Sequence, residues 1–477
     1  MDRVRQLAEL TPSGRERYVD LLRALAITLV VLGHWLTTVV VYDRSGQLTG
    51  YDALPELRWA YPLTWVFQVI PVFFLVGGFA NAASLTSHRA RGGIATEWLL
   101  DRSARLIRPT TILLVTLAVG SLLARLIGTD PAEIRTAVSF ATIPLWFLSA
   151  YVAVVALTPI MYPLHRRFGF VVPLVLVALV AAGDLGRLFG PGPLSGANFL
   201  FGWLVIHQIG FAWYDRYATT AAESDGAKAD PGIGRGGLFA HRLPLGWPVA
   251  VALLIVGLVA LLLLTVLGPY PVTMLMVPGE RLDNSSPPSL ALLALATLQL
   301  GIILLLRGPA ERWLRRRGPW RAVIGMNAVV LTIFLWHLSA VLVLVGALNA
   351  MHWLPAPPID TASWWAWRLP WLLALAVVLL ALVAIFGRIE VRTGHRRREQ
   401  DHERKVTGRS ATARTMLTVG GYAVVVLGLV INSMVRMSAP EPLGIPPIAL
   451  VAYLAGAGTL RLLTGAQSVS RRRPAPA

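Results

Sequence analysis

The chain reads as long apolar blocks separated by segments rich in arginine, proline and glycine. A hydrocarbon layer about 30 Å thick is crossed by roughly 20 mostly apolar residues in a helix. By that measure twelve membrane helices are predicted, over 21–42, 61–86, 106–127, 144–165, 168–183, 197–215, 246–268, 288–306, 327–348, 368–387, 415–434 and 446–463. Block 168–183 is short, and 446–463 carries Pro447 followed by many small residues. The first block is too long, and too weakly flanked by small residues, for a cleaved signal peptide, so it reads as a membrane anchor. The pattern predicts an all-α polytopic membrane protein. A segment 1–20 leads into about ten core transmembrane helices within 21–387, a charged connector 388–414, about two further C-terminal helices within 415–463, and a basic tail 464–477.

Composition agrees. Hydrophobic residues make up 55% and charged residues 14%, with a mean hydropathy of +0.62, where a soluble chain carries about 25% charged residues. Cysteine is absent, which excludes disulfides, thiolate metal sites and a cysteine nucleophile. The net charge is +18, from 43 Lys+Arg against 25 Asp+Glu. In a soluble protein that balance would point to nucleic acid; here the charges lie between apolar blocks, so they report topology and no nucleic acid is expected. With a cytoplasmic N-terminus, the twelve-helix layout puts 33 basic residues in inner segments and eight in outer ones. That is the inward bias of multi-pass proteins, and it predicts both termini on the cytoplasmic side of a cell inner or plasma membrane. The longest loop, 216–245, reads as a linker. Its Gly232, Gly234 and Gly237 have dinucleotide-loop spacing without the strand and helix such a site needs. Asn284-Ser285-Ser286 forms a glycosylation sequon on an outer loop.

Ionisable groups in hydrocarbon are costly, so each is a candidate for function. Arg23 and His34 are eleven residues apart, and eleven steps of about 100° return to within about 20° of one face, rising about 16.5 Å. Arg23 is expected at the cytoplasmic mouth and His34 beyond mid-depth on the same stripe, with Asp20 placed to pair with Arg23. The plain alternative is a snorkelling anchor arginine and a hydrogen-bonded interior histidine. His207 and His337 lie in other blocks; a histidine can take a proton from a hydroxyl nucleophile or simply bridge helices. Three histidines can hold zinc, but neither spacing nor a mid-depth carboxylate supports a metal here. Arg102, Arg105 and Arg108 recur at helical spacing ahead of Pro109. Guanidinium forks suit phosphate, so the cluster fits a cytoplasmic polyphosphate or an anionic lipid head group, or marks topology alone. Trp146 and Trp336 lie inside blocks rather than in interfacial belts, where packing is the ordinary role.

Four segments together resemble the acyltransferase 3 family of integral-membrane O-acyltransferases. Tyr18 to Ala24, continuing to Gly33-His34, is similar to its first-helix signature of arginine, ten residues, then histidine. Pro71 to Phe79 resembles its aromatic run ending in Ser-Gly-Phe. Arg105-Leu106-Ile107-Arg108-Pro109 looks like its cytoplasmic Arg-x-x-Arg. Leu145-Trp146-Phe147-Leu148 and Phe334-Leu335-Trp336-His337 complete the set, in order, over about residues 15–390. Gly77 stands where the family usually has serine, Tyr151 where many members carry glutamate, two helices exceed the usual ten, and no esterase-like extracytoplasmic domain is appended.

The resemblance implies a donor, an acceptor and a site. The donor would be a cytoplasmic acyl-coenzyme A, acetyl-coenzyme A being the expected one, and no bound cofactor is expected. Its phosphates would meet Arg105 and Arg108, with Asp20 and Arg23 near the inner mouth and Trp146 and Trp336 lining the substrate. His34 would act as general base on an acceptor hydroxyl, with His337 orienting or shuttling the proton. The acceptor would be a glycan, a glycolipid or another extracytoplasmic hydroxyl compound. Without cysteine a thioester-linked enzyme is excluded; direct transfer, acyl-histidine and acyl-serine stay open. The alternative is a proton-coupled transporter or flippase with the histidines as a relay, although no internal repeat is evident; a third reading is a membrane scaffold.

Overall fold

The computed structural model describes residues 16–42, 46, 48–190, 196–224, 242–277, 282–355, 357–395, 409–434, 441 and 443–470. The glycines at 232–237, most of linker 216–245, the middle of connector 388–414 and the last part of tail 464–477 lie outside them. The chain divides into two compact units: Met1–Val30, Leu57–Ala90 and Leu157–Asn327 form the first, and Val31–Glu56, Arg91–Ala156 and Ala328–Ala477 the second.

The protein is an all-α polytopic membrane protein. Among the described residues eleven helices are long and apolar enough to cross a membrane. The twelfth block is helical too, as Asn198–Ser224, but its buried Asn198, His207, Gln208 and Asp215 make it more polar than the others. In chain order the helices are α1 (Arg17–Thr37), α2 (Ile70–Ala90), α3 (Ala95–Leu126), α4 (Pro131–Thr142), α5 (Leu145–Phe168), α6 (Val171–Phe189), α7 (Asn198–Ser224), α8 (Trp247–Leu262), α9 (Leu290–Leu314), α10 (Arg317–Asn327), α11 (Val330–Ala350), α12 (Ala362–His395), α13 (Arg409–Met434) and α14 (Pro447–Ser470).

The elements differ from the predicted blocks in ways that bear on the site. The first block is not helical to 42: α1 stops at Thr37, and strand β1 (Thr38–Tyr42) pairs antiparallel with β2 (Leu48–Asp52). The run Thr37-Thr38-Val39-Val40-Val41 is apolar enough to pass as a span, yet its β-branched side chains favour a strand. Helix α3 begins well before 106, which carries all three arginines of the 102–108 cluster inside it. Helices α4 and α10 were not expected. α4 has a legible start, since Asp130 Oδ1 accepts the Ala132 N–H at 2.6 Å and Pro131 occupies the first position.

In the first unit α2 and α7 approach closely through glycine. A Cβ on Gly78 would collide with the His207 carbonyl, and one on Gly210 with the Leu75 carbonyl. Small residues let membrane helices meet backbone to backbone, which explains Gly78 in the aromatic run 71–79. The sequon is not an accessible acceptor: Asn284 is fully buried, its Nδ2 donating to the Pro271 and Thr273 carbonyls and its Oδ1 accepting from Ser289.

In the second unit the two C-terminal helices dock on α3. Tyr422 of α13 donates to the Leu99 carbonyl at 2.7 Å, and Tyr453 of α14 donates to the Ile107 carbonyl at 3.0 Å. These bonds lie on either side of Arg102 and Arg105, and Arg108 follows directly after Ile107. Gly210→Ala should lower stability by about 1–3 kcal/mol, the usual cost of an overpacked contact, visible as an earlier thermal unfolding transition in detergent; an unchanged transition would mean that α2 and α7 can part freely.

Candidate active site

The site is built around two histidines of the second unit. His34 lies in the last turn of α1, and His337 in the middle of α11, fully buried. Their rings stack with centroids 5.1 Å apart and planes inclined by 25°. His337 Nδ1 is 2.6 Å from the Phe334 carbonyl. A carbonyl only accepts, so Nδ1 carries the hydrogen, and in the neutral ring Nε2 keeps its lone pair. Among the described residues neither His337 Nε2 nor His34 Nδ1, both buried, has a hydrogen-bond partner. Buried polar atoms are ordinarily satisfied, so each of these calls for a partner such as a substrate, an ion or a water. His34 itself is partly exposed, as a group that meets a substrate must be.

Two helix ends fix this pair. Trp35 Nε1 donates to the His337 carbonyl at 2.9 Å, and Trp371 Nε1 of α12 donates to the Trp35 carbonyl at 3.1 Å. At the start of α11 the Glu390 carboxylate accepts from Leu331 N, Thr332 N and Thr332 Oγ1 at 3.1, 2.8 and 2.6 Å. Carboxylates are favoured at a helix N-terminus, where free N–H groups and the dipole converge. An aromatic file continues from the pair: Phe334 lies 6.0 Å from His337, Phe147 meets Phe334 edge-on at 5.2 Å, and Tyr151 stacks on Phe147 at 6.0 Å.

The other predicted residues fall into separate groups. Trp146 sits against Phe147 at 6.4 Å, within that file. Trp336 stacks on Phe386 of α12 at 3.9 Å, one residue and about 100° around the helix from His337. Arg105 and Arg108 are exposed on α3, whereas Arg102 is partly buried with its guanidinium 5.4 Å over Trp98. Asp20 and Arg23 belong to the first unit, paired at 3.4 Å, with Asn327 Nδ2 donating to the Asp20 carbonyl at 2.9 Å. His207 also lies in the first unit, its Nε2 3.1 Å from Asn81 Nδ2 and its ring edge-on to Phe211.

Sequence reasoning passed over Trp35, Glu390, Trp371 and Arg368. Trp35 adjoins His34, and Arg368 stands in the Trp-dense stretch from Trp364 to Trp371, which are the signals that were available. A second buried cluster was also missed. In the first unit Asp215 takes a 2.6 Å hydrogen bond from Tyr162, with His165 Nε2 at 3.8 Å and Arg166 at 3.5 Å.

The sequence profile of a family described as an acyltransferase domain matches residues 16–387. The chain belongs to the acyltransferase 3 family. It is a membrane acyltransferase, and helices α13 and α14 lie beyond the matched range. Comparison with curated proteins and with solved structures gave no match. For this acyltransferase, Tyr453→Phe should cost about 1 kcal/mol through the lost hydrogen bond, read as a lower unfolding temperature. An unchanged temperature would mean that the docking of α14 on α3 does not depend on that bond.

Proposed function

We propose that the enzyme takes its acyl group from a cytoplasmic acyl-coenzyme A, acetyl-coenzyme A first, and transfers it to a hydroxyl of a glycan, glycolipid or other extracytoplasmic acceptor. The reading places it in the inner or plasma membrane with both termini cytoplasmic. The observation that carries it is the stacked His34–His337 pair, with the His337 tautomer fixed by the Phe334 carbonyl and, among the described residues, no hydrogen-bond partner on His337 Nε2 or His34 Nδ1.

In this mechanism His34 is the general base. The acceptor hydroxyl gives its proton to the imidazole as its oxygen attacks the thioester carbonyl. The carbon–sulfur bond then breaks, and the coenzyme A thiolate leaves and is reprotonated by the same imidazolium. His337 orients His34 across the stack and can share the proton. The scheme is one of direct transfer, since no cysteine can carry the acyl group. Arg105 and Arg108, exposed on one face of α3, suit the donor phosphates. Trp146 stands beside the aromatic file that would wall the acyl chain, while Trp336 contributes by seating α11 against α12.

The test is thioester turnover by the full-length protein in lipid, using labelled acetyl-coenzyme A. His34→Ala should lower kcat by about 10²–10⁴-fold, the usual share of a general base, while coenzyme A still binds. Arg105→Ala and Arg108→Ala should raise KM for the donor about tenfold each, equivalent to about 1.4 kcal/mol, with kcat little changed. Turnover that survives His34→Ala would remove the base assignment, and absence of coenzyme A binding in the wild type would remove the donor.

A further inference from the structure

A cleft, part of it open to solvent, lies in the second unit between strand β1 and the beginning of α12. Thr38, Pro357, Trp364, Trp367, Arg368 and Trp371 contribute to its walls. Arg368 is 7% exposed, and its guanidinium lies 4.0 Å over the Trp364 ring. Its Nη1 donates to the Thr38 and Leu36 carbonyls at 3.0 and 3.5 Å. Its Nε, buried as well, has no hydrogen-bond partner among the described residues, and no carboxylate there lies within ion-pair distance of it.

A buried cation without an anion is costly. Capping the end of α1 explains Nη1 and leaves Nε over. An interfacial anchor does not explain the rest, because belt tryptophans and snorkelling arginines place their polar ends at the membrane surface. Here Trp364 and Trp371 are 1% and 4% exposed. A concave site with aromatic walls and one convergent charge is the form of a small-ligand pocket. The electron-rich face of an indole attracts the positively polarised C–H face of a pyranose ring, and a guanidinium holds a carboxylate or phosphate by paired N–H groups.

We propose that this cleft is the acceptor subsite and that it takes an anionic sugar, with the ring against Trp367 and its carboxylate or phosphate on Arg368. Its inner wall is tied to the histidine pair, since Trp371 donates to the Trp35 carbonyl and Trp35 donates to the His337 carbonyl. The role as acceptor subsite rests on the acyl-transfer reading; the binding of an anionic sugar does not.

The full-length protein in lipid nanodiscs is titrated calorimetrically with D-glucuronic acid, glucose 1-phosphate, glucose and inorganic phosphate. At least one of the two anionic sugars should bind saturably and at least tenfold more tightly than glucose or phosphate. Preference between them identifies the anion as carboxylate or phosphate. Arg368→Gln should abolish the binding and Trp367→Ala should weaken it about tenfold. Trp367→Ala leaves the α1 cap intact, so it decides the matter if Arg368→Gln unfolds early. Equal binding of glucose, no saturation with either anionic sugar, or unchanged binding in Trp367→Ala would overturn the proposal. Anionic-sugar binding by a protein that uses no acyl-coenzyme A would keep the sugar site and overturn its role as acceptor subsite.

Discussion

The arrangement of the second unit depends on how the carbonyl end of α1 is satisfied. A helix leaves its last four carbonyls without intrahelical partners, and hydrocarbon offers no water to replace them. Each of the four finds a partner from outside the helical ladder. The His34 carbonyl accepts from Thr38 Oγ1, that of Trp35 from Trp371, that of Leu36 from Arg368, and that of Thr37 from Ala53 N beyond the hairpin. His34 lies in that last turn. The groups that end the helix therefore also fix the histidine, and a change in any of them is felt at the imidazole.

Much of the architecture was legible because it follows from the thickness of a membrane and the period of a helix. All twelve predicted blocks are helical over most of their length. The misreadings share a cause: hydropathy registers how apolar a residue is and is blind to its preferred backbone. Thr38 to Val41 passed as helix for that reason and is a strand. Helices α4 and α10 escaped because they are short and amphipathic, although Asp130-Pro131 is a readable helix start. The approach of α2 and α7 was hinted at by the glycines at 77 and 78, but the partner glycine at 210 has no signal in a single chain.

The candidate site was legible by residue type and not by geometry. His34 and His337 stand out because charge and hydrogen bonding are scarce at mid-membrane, so any histidine there is conspicuous. Their stacking is a long-range fact, separated by three hundred residues of chain, and periodicity carries no information about it. Arg368 shows the reverse case. Counted as one more loop arginine it serves only topology; its burial against Trp364 and its bonds to the end of α1 are facts that composition conceals. The Asp20–Arg23 pair, by contrast, follows from spacing on one helix and appears as such.

The hydrogen bond from His337 Nδ1 to its own helix carbonyl has a directional consequence. Proton conduction through a histidine requires entry at one ring nitrogen and exit at the other. In His337 one nitrogen is already committed to a backbone carbonyl of α11, an acceptor that cannot pass a proton on. Only Nε2 is available, so a proton that arrives there must leave from the same atom. The ring can store a proton for the duration of a chemical step, and it is closed as a wire across the bilayer.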